Sequence, residues 1–111
     1  DLARLLLEVL TRRLHGVYHI VSPTCTSKYA FGVALAKQFG YDASLIQPSS
    51  IEEARLAARR AHRLTLRSEK LARAIGRLPP TWKEGLIRFH VQAQAGYPRR
   101  LRAWVGMTVR P

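Results

Sequence analysis

Residues 16–48 read GVYHIVSPTCTSKYAFGVALAKQFGYDASLIQP and join a strand-like run, a loop and a helix-like run in one unit. Val17, Tyr18, His19, Ile20 and Val21 make a β-branched and aromatic run bounded by Gly16 and Ser22-Pro23, the pattern of a short buried strand. Ser27 stands where an N-cap belongs. Beyond it Tyr29, Val33, Ala36 and Phe39 recur at helical spacing, and Gly40 supplies the stop. After the turn Tyr41-Asp42, Leu45-Ile46 make a second short extended piece that Pro48 ends.

Working outward, Asp1 can cap a helix running to about Arg13, with Leu2, Leu5, Leu6, Val9 and Leu10 on one apolar face. Ser50 with Glu53 has capping-box spacing and opens a helix from Ile51 to about Arg60. Leu64-Thr65-Leu66 is a third strand candidate. Ser68 caps a brief helix through Ile75 that Gly76 closes, and Pro79-Pro80 interrupts the chain. Thr81 and Glu84 form a second capping box for a helix lined on one face by Trp82, Leu86, Phe89 and His90. The expected architecture is a small, incomplete α/β domain of two or three short strands and four or five helices. Residues 1–96 form the body. Residues 97–111 form a basic tail, packed or partner-binding.

The ordered set G-V-Y-H-I-V at 16–21, S-K-Y-A-F at 27–31, F-G-Y-D at 39–42 and L-I-Q-P at 45–48 resembles the C-terminal part of the extended short-chain dehydrogenase/reductases. Within that family the stretch is most similar to enzymes of the dTDP-4-dehydrorhamnose reductase type. A-R-R-A-H-R-L-T-L-R-S-E-K-L at 58–71 and W-K-E-G-L at 82–86 keep the family's order. The resemblance implies the substrate-binding part of an extended Rossmann-type, NAD(P)-dependent sugar-nucleotide reductase, whose strands extend a larger sheet. It also implies a missing N-terminal domain that binds NADP or NAD. A D-L-A at the start of such a part follows a strand of that domain, so Asp1 reads as a cut inside an enzyme; the alternative is a natural N-terminus with a favourable cap.

The chemistry of hydride transfer is not in these residues. A dinucleotide site needs a glycine turn after a strand, and no G-x-G-x-x-G or G-x-x-G-x-x-G occurs. The family's proton donor is a Tyr-x-x-x-Lys pair, yet Tyr18, Tyr29, Tyr41 and Tyr97 all lack a lysine four positions on. No catalytic residue, cofactor-binding residue or metal ligand is therefore expected in this chain. By the resemblance, Arg60 matches a basic residue facing the nucleotide diphosphate, and Arg60, His62 and Arg63 are the candidate substrate-binding residues. An arginine fork gives a diphosphate two parallel, charge-assisted hydrogen bonds. The family's proline is here Ala61, and its small polar residue is Arg63; the alternative reading of this stretch is a solvated basic helix end.

Other conspicuous side chains read as structural. Tyr29 is assigned to the core, Trp82 to packing, and His19 and His90 to the core with satisfied nitrogens. Cys25, the single cysteine, excludes an internal disulfide and a multi-cysteine metal site.

Composition is that of an ordinary globular chain, 47% hydrophobic and 23% charged. No apolar run approaches a membrane span and no signal-peptide plan is present, so a cytoplasmic protein without a membrane partner is expected. The formal net charge of +12, with fifteen of nineteen cations arginine, favours anionic partners in general. Besides the reductase part, two further functions fit the residues. One is a non-catalytic regulatory or interaction module whose surface is Trp104 and the arginine tail. The other, motivated by charge alone, is nucleic-acid binding, for which no helix-turn-helix or RNA-binding signature appears. A homo-oligomer or protein partner fits either the first or the second reading.

Overall fold

The structure, a computed structural model, describes residues 1–53, 61 and 63–108, with side chains through 106. Helix α1 spans Leu2–Thr11, α2 Lys28–Phe39, α3 Glu69–Ile75, α4 Trp82–Gln94 and α5 Tyr97–Thr108, with a 3₁₀ turn at Ala43–Leu45. The helices end where local chemistry ends them. Ser27 Oγ accepts from the Ala30 N–H at 3.0 Å, and α2 closes on Gly40 at φ 73°, a left-handed conformation that suits glycine. Gly76 closes α3 in the same way, at φ 77°. Thr81 and Glu84 complete a reciprocal capping box at the start of α4.

Two small apolar patches hold these helices. In the first, Leu5 of α1 meets Leu71 and Ile75 of α3, and Val9, Leu14, Tyr18 and Ile20 pack around them. Glu8 fastens its edge, pairing with Arg12 at 2.9 Å and with Arg77 across the chain. In the second, α2 and α4 join through Phe39, whose ring lies 5.4 Å from Phe89 and 4.7 Å from His90 between centroids. Phe31 meets Trp82 edge to face at 6.0 Å, so Trp82 does pack. The Ser22 hydroxyl ties the loop before α2 to the head of α4: it accepts the backbone N–H of Trp82 at 3.1 Å and donates to Thr24 O at 2.9 Å.

The expected α/β fold is corrected by this architecture, because no strand occurs among the described residues. Val17–Val21 is irregular, Leu45 closes the 3₁₀ turn, and Leu64–Leu66 is irregular and exposed. The physical reason lies in what a strand requires. Strand propensity describes fit to a half-buried pleated surface, and a lone short ribbon is at best marginal in water. Among the described residues no sheet offers a ladder to extend. Alternation survives without the ladder, since Tyr18 and Ile20 turn toward the first patch while Val17 and His19 are exposed. Lys70 takes the place of one ladder partner: its Nζ donates to Val17 O at 2.8 Å and sits over the Tyr18 ring.

The expected helix over Ile51–Arg60 falls mostly outside the described residues. Its capping box is formed, with Ser50 N–H donating to Glu53 at 2.8 Å and Glu53 N–H donating to Ser50 Oγ at 3.1 Å.

Little of the surface is put away. A compact 12.6 kDa monomer exposes about 6,200 Å², whereas this chain exposes 9766 Å². Its radius of gyration is 17.8 Å, against about 13 Å for a compact chain of this length. Many large apolar side chains are among those left exposed. On α1 only Leu5 is buried, while Leu2, Leu6, Leu7 and Leu10 are 57%, 51%, 62% and 73% exposed. The helix is thus apolar on two sides and covered on one.

Candidate functional site

Of the three residues proposed to hold the substrate, Arg60 and His62 lie outside the described residues. Arg63 is exposed on the irregular segment before α3, and no hydrogen bond or ion pair joins it to another described residue. That segment is placed by its neighbours. Arg67 pairs with Glu69 at 2.9 Å, and Thr65 meets the loop ahead of α2, where Cys25 Sγ lies 3.9 Å from Thr65 Oγ1. Arg63 therefore belongs to a coil that abuts the 22–27 loop. The loop itself is held by Ser22, Thr24 and the Ser27 cap. At its end stands α2, whose first turn carries exposed Lys28 and no acidic residue. A loop, a cationic coil and a helix N-terminus thus adjoin, an arrangement suited to an anion.

Three assignments made from sequence are corrected here. Tyr29 is 44% exposed and so is not core. His19 is exposed because it occupies an outward position of the alternating run. His90 is half-buried against the Phe39 ring, yet its buried Nδ1 has no hydrogen-bond partner among the described residues, so the nitrogen is not satisfied. Cys25 is a free, exposed thiol. Among the described residues no cluster of three His, Cys, Asp or Glu side chains could hold a metal.

Sequence reasoning missed a polar cavity of about 240 Å³ lined by Asp1, Arg4, Gly85, Arg88, Phe89 and Gln92. Arg88 of α4 grips Asp1 with Nε at 3.0 Å and Nη2 at 2.7 Å, both on Oδ2. Asp1 thereby neutralises Arg88, and Arg4 contributes a further cation to the rim. Gly85, Arg88 and Gln92 share a helix face by their spacing, a signal readable in sequence. Their pairing with Asp1, eighty-seven residues away, is not.

The exposed carboxylates act as caps. Glu84 is held below the usual carboxylate range by the Thr81 hydroxyl and then by the Thr81 backbone N–H. Glu53 is lowered in the same sense by the Ser50 N–H and the Ser49 hydroxyl. Both stay ionised at neutral pH and favour helix starts; neither is tuned toward proton transfer.

No helix among the described residues is long and apolar enough to cross a membrane. No curated protein and no solved structure matches the chain significantly. One family does match: the model of the RmlD substrate binding domain covers residues 1–95.

Proposed function

Because the chain belongs to the RmlD substrate binding domain family, we propose that it is the part of a sugar-nucleotide reductase that closes over the activated sugar. Membership supplies the substrate-binding role and a nucleotide-sugar ligand. The further reading concerns what must be added for turnover. A dinucleotide loop and a Tyr-x-x-x-Lys pair are both missing from the sequence, so hydride from NADPH or NADH, and the proton for the carbonyl, must come from a cofactor-binding half. The chain alone is expected to reduce nothing. A cytoplasmic setting, where nicotinamide cofactors are available, fits this reading.

The observation that carries the proposal is the outer side of α1. Four leucines there, each more than half exposed, form an apolar face of the kind that marks a protein interface. The excess of about 3,600 Å² over a compact monomer agrees with a domain that finishes its core against another. On the substrate side, Arg60, His62 and Arg63 are assigned to the diphosphate; the coil that carries Arg63 abuts the loop before α2.

Calorimetric titration of the chain with dTDP tests the ligand assignment. Heat of binding should appear and should vanish in Arg60→Ala. Equal heat in parent and variant would remove Arg60 from the site, and no heat in either would remove the nucleotide.

A further inference from the structure

α5 lies beyond the family-matched residues and carries a surface that the reductase reading leaves unused. At 3.6 residues per turn, Tyr97, Leu101, Trp104 and Val105 fall within an arc of about 100°. Arg100 stands just past one edge of this arc and Arg102 past the other, with Arg99 on the far side. Every described side chain of the helix is exposed; Leu101 is 45%, Val105 57% and Trp104 78% accessible. Charge is one-sided as well. From Gly85 to Pro111 the sequence has five arginines and no aspartate or glutamate.

We propose that α5 lies flat in the head-group layer of an anionic lipid bilayer, anchoring the chain to the membrane surface. A short helix with aromatic and aliphatic residues on one arc and arginines along its flanks can sink its apolar side while the guanidiniums stay level with lipid phosphates. The sequence expectation of no membrane partner rested on the lack of a spanning run, and a helix that lies on the surface needs none. The geometry favours lipid over other anionic partners. Nucleic acid would be met by aromatic stacking platforms along a cationic groove, and neither Leu101 nor Val105 offers that. An acidic protein surface would satisfy the arginines and leave the apolar arc without a role.

The test uses the full chain carrying Trp82→Phe, which leaves Trp104 as the single indole, and vesicles of phosphatidylcholine with or without phosphatidylglycerol. The protein should sediment with the anionic vesicles, its fluorescence shifting to the blue, and should stay in solution with phosphatidylcholine alone. Replacing Arg99, Arg100 and Arg102 together by glutamine should weaken partitioning about 100-fold, at roughly fivefold for each basic residue near the surface. Leu101→Asp with Val105→Asp should abolish the blue shift while circular dichroism of the rest of the chain is kept. Sedimentation that ignores lipid charge overturns the proposal, as does equal binding by the double aspartate variant. A parent chain that leaves vesicles alone but binds polyglutamate or duplex DNA also overturns it, and reassigns the arginines to a protein or nucleic-acid partner.

Discussion

Replacing Leu6 and Leu10 of α1 by glutamine should cost the chain its partner and leave its own fold intact. The two side chains are 51% and 73% exposed, so both have burial still to gain. Complete burial of a leucine is worth about 1.5–3 kcal/mol, and the exposed fractions of this pair together correspond to roughly 2–4 kcal/mol. At 1.4 kcal/mol per decade, that is a loss of about 30- to 700-fold in affinity for a cofactor-binding half of an RmlD-type reductase supplied in trans. Glutamine keeps a good helix propensity, so α1 should persist. Titration calorimetry reads the affinity, and far-ultraviolet circular dichroism together with urea melting reads the fold. An unchanged affinity in a variant of unchanged helicity would refute the assignment of this face, and so would a parent chain that the cofactor half fails to capture.

Two further predictions concern the chain itself. Leu71 is completely buried between Leu5 and Ile75, so Leu71→Ala should destabilise by about 2–5 kcal/mol. With so small a core that loss should erase a cooperative urea transition; a change under about 1 kcal/mol would show that the patch is not what holds α1 to α3. Acid should also weaken the helices. Because Glu84 and Glu53 titrate lower in the folded chain than in the unfolded one, their contribution is complete above the unfolded glutamate value. It is lost as pH falls below about 4.3 and through the depressed folded values. Helical ellipticity should hold from neutrality to that point and then decline, and a flat signal down to about pH 2 would contradict the capping role.

The sequence announces what four or five consecutive residues decide. Ser27, Gly40, Gly76 and the Thr81–Glu84 box mark helix ends correctly because a cap is satisfied within its own turn. The apolar parity of residues 17–21 is likewise readable, down to the inward Tyr18 and Ile20. What sequence could not supply is the second member of each long-range pair. A strand exists only through its neighbour, and no sheet occurs among the described residues, so the run stays irregular. The leucine stripe of α1 shows that the helix is apolar without showing that α3 covers Leu5 and leaves Leu6 bare. The apolar company of His19 in the run suggests a core position, whereas its outward place in the alternation exposes it. The Asp1–Arg88 contact behind the polar cavity joins the two ends of the domain body and leaves no local mark. As for the substrate site, resemblance alone pointed to Arg60 and its neighbours, since an arginine in a basic stretch looks the same whether or not it faces a ligand.

The Ser22 hydroxyl has a mechanical consequence. The first N–H groups of a helix ordinarily look to water or to a neighbouring side chain of their own turn; the Trp82 N–H instead looks sixty residues back, to the loop that precedes α2. Fraying at the head of α4 and loosening of that loop are therefore one event rather than two. Any molecule that steadies the loop tightens the helix by the same linkage, and slowed hydrogen exchange at the Trp82 amide becomes a gauge of occupancy at the loop.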